Sequence, residues 1–244
     1  MKTTKVDKPV RVVRDRSKPV NLRMDNLIVV DPMTTNQKNV FKAFKHDNQH
    51  LILSGSAGTG KTFIGMYLAL EQILDKKSQQ DKLIIVRSVV PTREVGFLPG
   101  TIDEKLEAYK APYKHIAGEL FERGDAYDIL ADNNTIEFIS TSFIRGITLD
   151  NCIIMVDECQ NLNFHELDSI ITRVGINSRI IFSGDYYQSD FAKESDRKGV
   201  DAFFKICEQL RNFTHVEFNW QDIVRSDFVR DYIMTKEMME KENK

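Results

Sequence analysis

The sequence predicts an α/β fold: a mostly parallel sheet with helices packed on both faces. Three observations carry this. Six short apolar runs, at 51–53, 83–86, 136–139, 152–156, 179–182 and 216–218, recur between stretches of helical periodicity. Apart from Glu137, Arg179 and Glu217 the runs are apolar in succession rather than alternating, as strands buried on both faces require. A glycine-rich turn, 55–62, joins the first run directly to a helical stretch running from Phe63 to Leu74.

The elements follow in order. Residues 1–30 read as an N-terminal appendage to a single domain spanning 31–244, with 10–13 and 27–30 as short candidate strands. The first 23 residues hold eight basic side chains (Lys2, Lys5, Lys8, Arg11, Arg14, Arg16, Lys18, Arg23) against Asp7 and Asp15. Such an arm can touch phosphates, or can be a solvated terminal extension. Thr34 or Thr35 caps a helix reaching about Lys45, with Val40, Phe41 and Phe44 on one face. The stretch 91–131 is interrupted by Pro91, Pro99 and Pro112. It reads as an insertion over the C-terminal edge of the sheet, with helical pieces at 104–109 and 113–121. Asn163 and Glu166 form a capping box, Leu167, Ile170 and Ile171 the buried face behind it, and Gly175 the stop. A last helix starts at Ser226, has Asp227 in its first turn, and runs to about Glu240.

Composition narrows the class. The chain has 244 residues, 41% hydrophobic and 29% charged, which suits one large soluble domain or two small ones. No apolar run approaches the roughly 18 residues that span a bilayer. The basic start is not followed by an apolar stretch, so a secretory leader is not expected and a cytoplasmic protein is. Cys152, Cys159 and Cys207 are too few for a disulfide framework and lack zinc spacing. The net charge of −2, from 34 basic and 36 acidic residues, does not select a nucleic-acid partner.

The chemistry is concentrated in three segments. Gly55, Ser56, Ala57, Gly58, Thr59, Gly60, Lys61 and Thr62 fit G-x-x-x-x-G-K followed by Ser or Thr, with a strand before and a helix after. In such a loop, backbone N–H groups and a helix N-terminus cradle phosphates. Lys61 is placed to reach the β- and γ-phosphates of ATP, and the Thr62 hydroxyl to ligate Mg²⁺. The fourth apolar run ends in Asp157 and Glu158. Asp157 can hold the Mg²⁺ shell, and Glu158 can orient and polarise a water against the γ-phosphate. The fifth run leads into Ser183-Gly184-Asp185-Tyr186-Tyr187-Gln188, on a strand expected beside the phosphate-loop strand. There Gln188 can donate to a γ-phosphate oxygen or to the attacking water, and Asp185 can brace the loop.

In this order the motifs resemble the PhoH family of ATPases, related to the first motor domain of superfamily-one helicases. The resemblance covers about residues 34–235. It is carried by 55–62, 86–90, 96–100, 143–149, 156–161, 172–175, 183–185 with Gln188 and Asp190, and 222–225. It implies a RecA-like P-loop NTPase core and Mg²⁺-dependent ATP hydrolysis coupled to RNA or single-stranded DNA. Gln37 looks like the glutamine that reads the adenine edge. Arg225, and Arg173 with it, look like arginines able to reach γ-phosphate charge from the same subunit or a neighbour; a structural salt bridge is the other reading of each. The chain length leaves no room for a second motor domain, so the resemblance implies a homo-oligomer, a hexamer in this reading. Two positions depart from the family pattern. Ile147 stands where a second arginine is usual, which weakens a nucleic-acid contact there, and Cys159 replaces a small alanine.

Other functions compete. A nucleotide-gated binding module with little turnover would leave Glu158 and Gln188 without a use. A P-loop kinase would need an acceptor site that the sequence does not mark. A nuclease would need clustered acidic ligands, whereas Asp125, Asp128, Asp132 and Asp201 are scattered.

Overall fold

The computed structural model describes residues 21–46, 49–89, 102–185 and 194–242. The basic arm up to residue 20, the candidate strand at 10–13, the segment 96–100 and Gln188 lie outside the described residues.

Among the described residues, six strands form one sheet: β1 (His50–Gly55), β2 (Lys82–Arg87), β3 (Ile136–Ser140), β4 (Cys152–Val156), β5 (Arg179–Ser183) and β6 (Phe213–Phe218). Their order is β3-β2-β4-β5-β1-β6 and every pairing is parallel. The strand before the glycine loop therefore lies beside β5, as the sequence predicts; the register sets Leu51 against Ile181 and Leu53 against Ser183.

The unbroken apolar runs of β2 and β4 have a direct cause. In β2, Leu83 and Ile85 enter one core while Ile84 and Val86 enter the other; β4 divides Ile153 and Met155 from Ile154 and Val156 in the same way. Strand side chains alternate between faces, so two dry faces leave no polar position. The first face is covered by α1 (Thr35–Lys45), α2 (Lys61–Leu74), α3 (Ile102–Leu120) and α4 (Ala126–Asp132). The second is covered by α5 (Phe164–Ile171) and α6 (Glu194–Glu208), which supply Leu167, Ile170, Val200, Phe203 and Phe204. Each such side chain removed from water contributes about 1.5–3 kcal/mol. A final helix, α7 (Asp227–Glu242), follows β6.

The caps form as read. The Thr34 hydroxyl accepts the Gln37 N–H at the start of α1. At α5, Asn163 and Glu166 exchange bonds of 3.1 and 2.9 Å. The helix stops earlier than expected, at Ile171. Leu149 N–H bonds to the Arg173 carbonyl and Leu149 bridges Val174, which pulls the chain out of helical geometry before Gly175. Gly175 is needed for a different reason: a Cβ there would lie 1.9 Å from Asp150 Oδ1.

Three expectations are corrected. The stretch 91–131 is not an insertion over the sheet edge where it is described. Its helices α3 and α4 form the crossover from β2 to β3, with Tyr113, Ala117, Leu120, Tyr127 and Leu130 in the first core. The two helical pieces are one helix, with Pro112 inside it. Burial of Tyr113, Ala117 and Leu120 after the proline outweighs the lost helical bond, about 3 kcal/mol or more. Residues 27–30 form no strand. Ile28 N–H bonds to the Leu120 carbonyl, a helix end, and Leu22 and Leu27 are buried in the first core, so residues 21–30 pack with the sheet body. No described helix is long and apolar enough to cross a membrane.

Candidate nucleotide site at the carboxyl edge

The glycine loop leaves the top of β1, and its shape follows from contacts across the fold. Gly55 has φ of +108°, and a Cβ there would sit 1.9 Å from the Phe218 carbonyl oxygen, so the loop can leave β1 only by pressing bare backbone against β6. Gly60 takes φ of +84° immediately before α2. The ammonium of Lys61 donates to the carbonyls of Gly55 at 2.8 Å and Ser56 at 2.7 Å, curling the loop around itself. Burial lowers the Lys61 pKa, and the carboxylates of Asp185, Glu158 and Asp157 oppose that shift. Lys61 is thus a nearly buried cation facing the ends of β4 and β5.

Asp157 stands at the end of β4 and is buried. Its Oδ1 accepts the Thr62 hydroxyl at 3.0 Å and its Oδ2 accepts the Tyr113 hydroxyl at 2.8 Å. Burial first, then Asp157, raises the Tyr113 pKa well above its ordinary value, so the phenol remains a donor. Glu158 takes a left-handed φ of +51°, unusual for a residue with a side chain. That conformation turns the chain off the strand end, and Glu158 stays half-exposed while Asp157 is buried. The Gln160 amide donates to Glu158 Oε2 at 2.5 Å and its oxygen accepts the Asp185 N–H at 3.1 Å. One side chain therefore links the carboxylate after β4 to the loop after β5.

The loop is also braced from behind. Gln37, buried on α1, accepts the Met33 N–H at 2.7 Å and donates to the Thr59 carbonyl at 3.1 Å. Its amide holds the loop on its inner side. Glu237 of α7 is buried and accepts from the Ser56 hydroxyl at 2.9 Å and from the Trp220 indole at 2.5 Å. Ile233 of α7 and the stem of Arg225 lie where a Cβ on Gly58 would point, at 3.3 and 3.1 Å. Arg225 is therefore beside the loop within its own chain. A cavity of about 390 Å³ adjoins Ser56, Trp220 and Glu237, to the side of the loop rather than at Asp157 and Glu158.

Arg173 is elsewhere. It follows α5, which descends from the carboxyl edge, and it pairs with Leu149 ahead of β4 and precedes β5. This puts it at the amino edge of the sheet, so a reach to the γ-phosphate within its own subunit is ruled out by topology. Gln188 is outside the described residues. The three cysteines are buried and free; burial raises all three thiols, Cys207 to about 12. Asp125 pairs with Arg123 and Asp128 with Lys114, and no group of three acidic, His or Cys residues able to hold a metal occurs among the described residues.

Sequence reasoning missed Tyr113, Gln160 and Glu237 as parts of the site. Gln160 carried a signal, its place two residues after Glu158. Tyr113 and Glu237 carried none, because each reaches the site from a helix distant in the chain.

The donor set fits Mg²⁺. Thr62 and Asp157 present hard oxygen ligands 3.0 Å apart beside a buried ammonium, leaving the remaining positions for phosphate and water oxygens. A parallel sheet carrying this strand–loop–helix unit, with an acidic pair two strands away, defines a P-loop NTPase fold of the RecA-like α/β class.

Within that class the chain belongs to the PhoH-like protein family, whose family model matches residues 29–237. A PhoH-like protein of Synechocystis sp. is 31% identical over 87% of this chain and 63% of its own length. Protein PhoH of Escherichia coli is 31% identical over 78% of this chain and 53% of its own. The chain spans only about 57–63% of the length of the first curated relatives it matches. Among solved structures, the large terminase of a thermophilic bacteriophage in complex with ADP aligns with TM-score 0.49 and 13% identity, over 82% of this chain and 49% of that one. The Pif1 helicase of Candida albicans aligns with TM-score 0.40 and 15% identity, over 83% and 43%.

Proposed function

We propose that the protein is a Mg²⁺-dependent ATPase that couples hydrolysis to binding or remodelling of RNA or single-stranded DNA. The observation that carries the ATPase reading is the convergence of Lys61, Thr62, Asp157 and Glu158 at the ends of β1 and β4. Thr62 and Asp157 would hold the metal. Mg²⁺, when bound, supplies positive charge to the phosphate oxygens. Lys61 exchanges its loop carbonyls for phosphate oxygens and keeps its charge near them. Glu158, held by Gln160, orients a water and draws on its proton. Gln188, three residues after Asp185 in sequence, is proposed to read the third phosphate, and Gln160 contacts Asp185 just after β5. Gln37, braced against Thr59, is proposed to meet the adenine edge.

The nucleic-acid part rests on the loop after β3. Phe143 is 64% exposed there, beside exposed Arg145 and Ile147. An exposed ring with a neighbouring guanidinium suits stacking on unpaired bases and contact with a phosphate. A homo-oligomer is proposed because Arg173, remote from its own site, would act on γ-phosphate only across a subunit boundary. Arg225 would act from the same chain.

Steady-state ATP hydrolysis with Mg²⁺ tests this reading, for the wild type and Glu158→Gln, with and without single-stranded RNA and DNA. Turnover that is lost in the variant and raised by one polymer supports the whole proposal. Turnover indifferent to both polymers keeps the ATPase and removes the nucleic-acid coupling. ATP binding without turnover in any condition leaves a nucleotide-gated binding module.

A further inference from the structure

Asp157 is restrained through both of its oxygens, and the two restraints come from different parts of the chain. Thr62, on Oδ1, belongs to the phosphate loop and α2. Tyr113, on Oδ2, belongs to α3, the crossover between β2 and β3. Tyr113 is fully buried, with its ring 5.9 Å from that of Phe138. Its hydroxyl also meets Arg87, the residue that ends β2, whose guanidinium lies 5.7 Å from the Tyr109 ring one turn earlier on α3. A cation, a phenol and a carboxylate thus stand in series across the top of β2 and β4. A tyrosine kept only for packing can give its O–H to any carbonyl nearby. This one is committed to a carboxylate at the proposed metal position.

A carboxylate has about four lone-pair sites. With one used on each oxygen, Asp157 keeps capacity for metal or metal-bound water while its plane is fixed. Groups that orient a ligand in this way are typically worth about 10–100-fold in metal affinity. We propose that Tyr113 is a positioning residue: it holds the Asp157 carboxylate in the orientation that receives Mg²⁺, and α3 through it sets how tightly the Mg²⁺–nucleotide complex is held. This inference rests on the nucleotide-site reading above.

The test is Tyr113→Phe, which removes one oxygen and keeps the ring. Binding of a fluorescent ADP analogue is titrated with Mg²⁺ at fixed nucleotide, and repeated in EDTA. The Mg²⁺ concentration for half-maximal tightening is expected to rise about 10-fold in the variant, with ADP affinity in EDTA unchanged. Hydrolysis should fall at limiting Mg²⁺ and recover at saturating Mg²⁺. A merely structural tyrosine would lower the melting temperature and leave the Mg²⁺ titration where it was, and that result overturns the proposal. If Tyr113→Phe does not fold, Tyr113→Met takes its place: it also removes the hydroxyl while a flexible apolar side chain fills the space, and an unmoved Mg²⁺ midpoint again overturns the proposal. A wild type whose ADP binding ignores Mg²⁺ overturns the metal-site reading itself, and this inference with it.

Discussion

The two edges of the sheet use buried charge in opposite ways. At the carboxyl edge, Lys61, Asp157 and Glu158 stand within reach of one another, and the bonds of Lys61 to its own loop are ones that phosphate oxygens can replace. At the amino edge, Arg179 is 4% exposed and is surrounded by its own chain. Its guanidinium donates to Gln72 Oε1 at 2.7 Å, to the Phe44 carbonyl at 3.0 Å and to the Gln49 carbonyl at 2.6 Å, and lies 3.6 Å from the centre of the Phe44 ring. Burial lowers its pKa to about 10, so it stays charged at neutral pH. Neutral oxygens and a ring hold this cation. One edge keeps charge in contacts a ligand can take over; the other ties α1, α2 and β5 together with it. Buried charge alone therefore does not mark a site. What marks it is a cluster of opposite charges at a strand end, with one member still half-open.

Substitutions can break this contrast. The largest effect is expected for Glu158→Gln: turnover lower by about 10²–10⁴-fold, with ADP binding and melting temperature nearly unchanged. Arg179→Met should do the reverse. It leaves two carbonyls and an amide oxygen without a donor, and should cost about 2–4 kcal/mol, read as a drop of roughly 5–15 °C in melting temperature. Hydrolysis per folded molecule should be unchanged; a selective loss of turnover in Arg179→Met would erase the distinction between the edges. Arg179→Lys, which keeps the charge but loses the planar fork, should fall between, at about 1–2 kcal/mol.

The smallest effect concerns pH. His50 Nδ1 accepts the Ile180 N–H, and burial, aided by Arg179, lowers the His50 pKa below its ordinary 6.5. The unfolded chain takes up this proton first as pH falls. Stability present above pH 7 is therefore lost as pH drops through 6.5 toward the folded-state value. Denaturation midpoints at pH 7.5 and 5.5 should fall less in His50→Gln than in the wild type. Equal slopes would mean that the ring titrates alike in both states.

Much of this was legible in the chain. Six short, mainly apolar runs gave the strands, and strand–glycine–helix spacing gave the phosphate loop with Lys61 and Thr62. The box at Asn163 and Glu166 and the cap at Thr34 are local hydrogen bonds, which local sequence encodes directly. What stayed hidden depends on distance. Pro112 reads as a break because its neighbours in sequence cannot reveal the burial of Tyr113 and Ala117. Residues 27–30 have strand composition, yet Ile28 meets a helix end. Arg173 has the same motif context as a catalytic arginine, but it is the direction of α5 that carries it to the far edge. Tyr113 and Glu237 act through partners 44 and 181 residues away.

The phosphate loop has a consequence for synthesis. It begins at residue 55, but it presses on Phe218 and is held by Glu237. A nascent chain emerging from a ribosome carries the whole nucleotide motif early and cannot give it its final form until nearly two hundred further residues have been added. Tight ATP retention would then report that translation had reached α7, and a product truncated before Phe218 would carry the signature of a nucleotide site without its grip.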